Sequence, residues 1–190
     1  MYKVNEIFFS LQGEGFWTGT PMVFLRFSGC NLKCPFCDTD HSGFQEMRAE
    51  DIVAAAKAAG GGCDRVCVTG GEPGLQLDRA LIDALHGAGY RIHVETNGTK
   101  PFPAGVDWIT LSPKADVPGL KGNGTVVLDQ ADEVKVVFQG TDVEKWAGFP
   151  AQAHFLQPCS GENTVETIDY ILRHPHWRLS LQTHKLLEIR

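Results

Sequence analysis

No run of apolar residues in this 190-residue chain approaches the ~18 that a membrane span requires, so no membrane association is expected. Positive charge is not in excess either: 17 Lys and Arg stand against 23 Asp and Glu, for a formal net charge of -6. A polyanion-binding surface is therefore not indicated, and nucleic acid is not an expected partner. The opening Met1-Tyr2-Lys3-Val4-Asn5-Glu6 turns polar at once, where a secretory leader needs an apolar stretch. No repeat, low-complexity tract or Pro/Ser-rich linker divides the chain, so one domain over residues 1–190 is expected. Hydrophobic residues at 43% and charged residues at 21% are ordinary for a globular core. Together these absences point to a cytoplasmic protein.

What the chain does have is a concentration of thiols. Three of its six cysteines, Cys30, Cys34 and Cys37, lie within eight residues at C-x3-C-x2-C spacing. In a reducing compartment such a group reads as metal-binding or catalytic rather than as a disulfide framework. Two inorganic centres suit it. Three thiolates with a vacant fourth position fit an iron–sulfur cluster that keeps one iron open for a ligand. Alternatively, His41 extends the pattern to C-x3-C-x2-C-x3-H, which would close a tetrahedral zinc site. Cys63, Cys67 and Cys159 lie apart from this group and read as packed thiols.

Short apolar runs alternate with helical patterns along the chain. Strands are expected at Val4–Phe9, Met22–Phe27, Arg65–Thr69, Tyr90–Glu95, Trp108–Leu111, Glu133–Phe138 and His154–Leu156, with a closing strand over Arg178–Gln182. A helix over Ala49–Ala59 stops at Gly60-Gly61-Gly62, and another buries Leu77, Leu81 and Leu85 at i, i+4, i+8. The last helix starts at Asn163 as N-cap, with Glu166 three residues on, and is expected to bury Val165, Ile168 and Leu172. This alternation implies a parallel sheet with helices outside, too short for eight full units, hence an incomplete β/α barrel.

The polar motifs fall after strands. The cysteine loop, Thr69-Gly70-Gly71-Glu72-Pro73, Thr96-Asn97-Gly98, Ser112-Pro113-Lys114 and Gln157-Pro158 all follow carboxyl ends, the edge that carries ligands in parallel α/β folds. The paired glycines would let backbone approach a ligand closely, though a tight strand-to-helix turn explains them as well. Trp108 reads as packing, and Asp142–Lys145 as solvated surface. Lys121–Thr125 is Gly-rich but follows no strand, so it is not taken as a phosphate loop.

The cysteine spacing with Phe36 before the third thiol, followed by Gly70-Gly71-Glu72-Pro73 after the next strand, resembles the radical S-adenosylmethionine superfamily. Leu11-Gln12-Gly13-Glu14-Gly15, Arg26, Cys37-Asp38-Thr39, Leu111-Ser112-Pro113-Lys114 and Gln182-Thr183-His184-Lys185 narrow the likeness to its 7-carboxy-7-deazaguanine synthase family, over essentially the whole chain.

The resemblance implies a partial TIM-like barrel of the radical S-adenosylmethionine type. It implies a [4Fe–4S] cluster on Cys30, Cys34 and Cys37, with S-adenosylmethionine contacted by Phe36, Asp38, Gly71, Glu72, Ser112, Lys114 and Gln157. It implies a pterin substrate held by Leu11, Gln12, Gly13, Glu14, Arg26, Thr69, His184 and the terminal Arg190, and Mg2+ bound through Thr39. No side chain is expected to be catalytic in its own right, because the radical comes from the cluster and S-adenosylmethionine. The implied reaction turns 6-carboxy-5,6,7,8-tetrahydropterin into 7-carboxy-7-deazaguanine with loss of ammonia, on the route to queuosine. A homodimer and an electron donor such as flavodoxin or ferredoxin are implied with it.

Two other classes share part of this pattern. An activating enzyme that acts on a partner protein would have the cysteines and the Gly-Gly-Glu loop but no use for a pterin site. A zinc-binding interaction module would need only the thiols and His41.

Overall fold

The computed structural model describes residues 1–40 and 43–190. Nine strands form one sheet in the order β3-β1-β2-β4-β5-β6-β7-β8-β9, and its two edge strands do not pair with each other. From β2 (Pro21–Phe27) through β4 (Arg65–Gly70), β5 (Arg91–Thr96), β6 (Trp108–Leu111), β7 (Glu133–Phe138), β8 (Ala153–Pro158) and β9 (Arg178–Leu179), every neighbouring pair is parallel. The expected incomplete barrel is therefore present, with an addition. β1 (Tyr2–Leu11) runs antiparallel to β2, and β3 (Gln45–Met47), which the sequence pattern did not reveal, runs antiparallel to β1.

Period-2 alternation sorts each strand into an outward and an inward set. Val23, Leu25 and Phe27 of β2, Val66 and Val68 of β4, and Ile92 and Val94 of β5 face outward, where α1 (Ala49–Gly60) and α2 (Arg79–Gly87) cover them with Ile52, Leu81 and Leu85. Each such fully buried aliphatic side chain contributes about 1.5–3 kcal/mol. Gly61, at φ 55°, ends α1 in the left-handed region that glycine tolerates. Farther along, Val134, Val136 and Phe138 of β7 pack outward against Leu156, Trp146 and Trp177. The opposite faces carry Phe24 and Arg26, Cys67 and Thr69, His93 and Glu95, Glu133 and Lys135, and Gln157. The sheet thus wraps a polar interior.

Four expectations need correction. Helix α4 (Thr164–Arg173) leaves Val165, Ile168 and Leu172 exposed, at 70%, 38% and 76%, and presents Thr167, Tyr170 and Ile171 to the core instead. The Asn163 side chain does not cap it. Its Oδ1 accepts from the Cys159 N–H (2.8 Å) and its Nδ2 donates to the Phe138 carbonyl (2.9 Å), so the helix entry is set by one bond within the preceding turn and one tertiary bond to β7.

The closing strand stops at Leu179, because Ser180 turns inward to donate to Gln157 Oε1 (2.9 Å), and the chain ends in a short helix, α5 (Thr183–Leu186). Asp142–Lys145 is not simply solvated: Val143 is 1% exposed, and Glu144 opens α3 (Glu144–Ala147) and accepts from the Tyr170 hydroxyl and Trp177 Nε1.

At the amino end of the interior, Phe16 and Trp17 close the space against Trp108 and His93 with ring centroids 4.9–5.3 Å apart. Burial lowers the His93 pKa to about 4, so it packs there as a neutral ring. With that end plugged by rings, the open side of the interior is the carboxyl edge of the strands.

Candidate active site

Two cavities share that edge. The smaller, about 220 Å³, is walled by Cys30, Cys34, Cys37, Phe36, Gly71, Ser112, Lys114 and Gln157. The larger, about 450 Å³, is walled by Leu11, Gln12, Gly13, Arg26, Thr69, His184 and Arg190. Both volumes are near the small-ligand range. Glu14, Asp38, Thr39, Glu95 and Gln182 line both, so the two spaces meet along one boundary. Of the sequence-derived residues, Glu14, Asp38 and Thr39 lie on that boundary, and nearly all the others line one cavity or the other. Glu72 is the exception and lines neither.

Glu72 is fully buried behind the smaller cavity. Its Oε1 accepts from the Thr96 hydroxyl (2.7 Å) and the Gly74 N–H (2.8 Å), and its Oε2 from the Asn97 N–H (2.8 Å). Burial raises its pKa against those bonds. Asn97 then donates to Asn31 (3.3 Å), inside the cysteine loop, so the Glu72 carboxylate braces the thiol-bearing segment through one intermediate side chain. The paired glycines act more directly. A Cβ on Gly71 would fall 1.8 Å from the Gly29 carbonyl oxygen, and Gly70 sits at φ 112°. The two loops touch as only glycine permits.

The cysteine loop has a second brace. Lys33 and Lys121 exchange backbone hydrogen bonds at 2.9 and 3.2 Å, which gives the Gly-rich Lys121–Thr125 segment a supporting role. Cys30 Sγ accepts from the Leu32 N–H (3.4 Å), and the Cys37 N–H donates to the Cys34 carbonyl (3.1 Å). Burial raises the Cys30 and Cys34 thiols, while the Lys114 ammonium pulls both back. Three thiols on one wall, near a cation and a backbone donor, suit a thiolate-held cluster.

His41, the proposed fourth ligand of a zinc site, lies outside the described residues. Among the described residues no three His, Cys, Asp or Glu side chains are gathered to hold a single ion. Cys67 is buried at 1% exposure, as expected of a packed thiol, whereas Cys63 and Cys159 are only half-buried.

Lys114 anchors the opposite wall: its Nζ donates to the Ser112 carbonyl (2.7 Å) and hydroxyl (2.6 Å), and burial lowers its pKa. Gln157 accepts from Ser180, whose hydroxyl in turn accepts from the Gly15 N–H at 2.9 Å.

In the larger cavity Arg26 Nε donates to Glu6 Oε1 (2.8 Å), which holds the guanidinium on the inner face. His184 packs against Gly13 so closely that a Cβ there would lie 2.1 Å from its Nδ1. Ser10 Oγ donates to the Arg190 carbonyl (2.5 Å), and Arg190 also pairs with Glu6. Asp38 is held by Lys185 at 2.5 Å, and Thr39 accepts from Cys37 Sγ through its carbonyl at 3.9 Å.

Two residues of this site escaped the sequence reading. Lys135 is a lone cation in the apolar run Glu133–Phe138, and Glu95 is the penultimate residue of an ordinary strand. Lys135 Nζ bonds Glu14 Oε2 at 2.6 Å and Glu95 Oε2 at 2.7 Å, at the boundary of the two cavities. Burial acts to raise Glu14, but Lys135 outweighs it and holds the carboxyl well below its usual range. The available signal was period 2: Val134 and Val136 outward puts Lys135 inward.

Comparison with known proteins gives one consistent picture. The radical SAM superfamily model matches residues 25–121. A 7-carboxy-7-deazaguanine synthase from Bacteroides thetaiotaomicron is 53% identical over 190 residues, covering 100% of both chains. The protein of that name from Caulobacter vibrioides is 47% identical, covering 98% of each. Among solved structures, the crystal structure of QueE from Escherichia coli superimposes with a TM-score of 0.78 at 30% identity, over 95% of this chain and 93% of that one.

Proposed function

We propose, on the premise that the chain belongs to the 7-carboxy-7-deazaguanine synthase family of radical SAM enzymes, that its paired cavities hold S-adenosylmethionine beside a carboxytetrahydropterin. Family membership implies a [4Fe–4S] cluster and S-adenosylmethionine. The reaction is the conversion of 6-carboxy-5,6,7,8-tetrahydropterin to 7-carboxy-7-deazaguanine with loss of ammonia, which balances without an external oxidant. The observation that carries the reading is the shared wall: two cavities of ligand size, one with three thiols and one with an arginine and a carboxylate, meet at Glu14, Asp38 and Thr39.

When bound, the cluster and S-adenosylmethionine supply reductive radical chemistry, and the protein's part is position and charge. Cys30, Cys34 and Cys37 would hold the cluster. Gly71, Phe36, Asp38, Ser112, Lys114 and Gln157 would shape the S-adenosylmethionine side, with Glu72 acting through the Asn97 loop. Glu14, with the Leu11–Gly13 backbone, offers acceptors to the guanidine-like edge of a pterin. Arg26, with its forked donors, suits the substrate carboxylate, and Thr69, His184 and Arg190 complete that cavity. Mg2+, a hard cation that takes few protein oxygens, would sit at Thr39, where both cavities are within reach. The aromatic plug at Phe16 and Trp17 keeps water from the amino end.

The same reading includes a single radical SAM domain over residues 1–190, a flavodoxin- or ferredoxin-type electron donor and a cytoplasmic setting, where thiols stay reduced. It also includes a homodimer, for which the exposed Val165, Ile168 and Leu172 on α4 offer an apolar face; sedimentation checks the mass. The central test is anaerobic reconstitution with iron and sulfide, reduction, and addition of S-adenosylmethionine and the carboxytetrahydropterin. The expected product is the deazaguanine, lost when Cys30, Cys34 or Cys37 becomes Ala. Cleavage of S-adenosylmethionine without deazaguanine would overturn the substrate assignment, and colourless zinc-loaded protein would overturn the radical reading altogether.

A further inference from the structure

Inside the sheet, Glu14 is joined to two charged residues that family resemblance did not supply. Lys135 is 2% exposed at its side chain and lies between Glu14 and Glu95, whose side chains are 16% and 20% exposed. The ammonium is therefore set behind the wall while the two carboxylates form it.

Their four oxygens are arranged alike. In each carboxylate Oε2 takes Lys135, and Oε1 takes a side-chain amide: Gln182 Nε2 on Glu14 (2.9 Å) and Gln12 Nε2 on Glu95 (2.9 Å). A carboxylate oxygen has room for a second donor, so each retains acceptor capacity toward the cavity. A buried ion pair is weak as a stabilising device, because desolvation offsets much of the attraction. Its use here is better sought in what the exposed oxygens present.

We propose that Lys135 is a positioning residue: it fixes Glu14 and Glu95 as a pair of ionised acceptors for the 2-amino, guanidine-like edge of the heterocycle, and so sets the preference for a 2-amino over a 2-oxo ring. The proposal rests on the pterin reading of the larger cavity. Without the cation, two carboxylates that now share one ammonium would stand beside each other uncompensated, and one would take up a proton. A protonated carboxyl donates, and a wall that donates no longer rejects a carbonyl. The other ionisable groups around Lys135 are Glu133 on its own strand, Lys114 on the loop after β6 and the buried Cys67 of β4, while His184 of α5 faces Glu14. Burial works against the Lys135 charge, but Glu14, Glu95 and Glu133 together raise its pKa, so the cation persists.

The test is equilibrium binding of two probes to the reconstituted, unreduced protein: 6-carboxypterin and 6-carboxylumazine, which differ only in 2-amino against 2-oxo. The unaltered protein is expected to prefer the pterin by about tenfold or more, since a buried acceptor facing a carbonyl stays unpaired. Lys135→Met should weaken the pterin about tenfold and bring the ratio of affinities toward one. Because that variant removes a buried charge and could fold poorly, Glu95→Gln, which keeps the shape and supplies a donor, carries the same expectation. A variant that is folded by circular dichroism and weakens both probes equally, or keeps the original ratio, overturns the proposal. If Lys135→Met does not fold, an unchanged ratio in Glu95→Gln overturns it alone. An unaltered protein that binds neither ring would instead bring down the pterin reading itself.

Discussion

Glu133 shows how a single residue can tie stability to pH. It is 1% exposed, its Oε2 accepts from the Phe16 N–H (3.1 Å), and its Oε1 has no partner among the described residues. Burial raises its pKa from 4.5 to about 7, with Lys135 pulling in the other direction. The folded state therefore binds this proton where the unfolded chain has released it. The stabilisation is fully present below the unfolded value and is lost as pH rises through about 7. The loss by pH 8 is on the order of 3 kcal/mol. Glu133→Gln, which cannot ionise, is expected to flatten this dependence and to be the more stable form at alkaline pH. Urea unfolding of both proteins at pH 5.5 and 8 measures it, and parallel slopes would remove Glu133 as the cause.

Gly13 offers a second residue-scale test. Any side chain there displaces His184, so Gly13→Ala should raise KM for the pterin several-fold while S-adenosylmethionine cleavage continues. An unchanged KM would show that His184 does not touch the substrate.

Among the elements, the loops after β2 and β4 are the most interdependent. Gly71 lies against the Gly29 backbone, and Gly122 lies close to the Asn31 carbonyl, so the cysteine loop is gripped from two sides by residues without side chains. A methyl group on Gly71 would meet backbone rather than a flexible side chain, and the cysteine loop would have to move. Gly71→Ala is thus expected to retain well under half the iron and sulfide of the unaltered protein after reconstitution, with its circular dichroism spectrum preserved. Full cluster content would argue that the close approach is dispensable.

The legibility of these elements follows the same physics. Strands β2, β4 and β5 were readable because branched residues alternate over a buried sheet, and the cysteine and Gly-Gly-Glu loops because chemistry and backbone conformation constrain neighbouring positions together. Helix α4 was misread because Thr167, Tyr170 and Ile171 make the buried face, held by a Tyr170–Glu144 bond that no local pattern announces. Lys135 and Glu95 were missed because their partnership spans 40 residues.

At the scale of the molecule, the two ends of the chain meet over the larger cavity. Thr183 donates to the Gly13 carbonyl through both its N–H and its hydroxyl (2.9 Å each), and Gln182 Nε2 reaches Glu14 Oε1 (2.9 Å), contacts that span about 170 residues. Lys185 reaches Asp38 in the cysteine loop, but both side chains are more than 40% exposed, so this pair contributes little on its own. The hydrogen bonds matter more, at about 1 kcal/mol for each neutral one and about 1.5–3 kcal/mol for the one to the Glu14 carboxylate. Removing the side-chain pair in Gln182→Ala/Thr183→Ala should loosen α5 from the loop after β1 while leaving Cys30, Cys34 and Cys37 in place. The pterin KM is then expected to rise about tenfold, while 5′-deoxyadenosine still forms, so more S-adenosylmethionine is cleaved per deazaguanine made. The ratio of the two products, measured by chromatography over one time course, decides the matter. An unchanged ratio and KM would mean that the terminal contacts only tether the chain, and that the larger cavity is closed by something other than its own last helix.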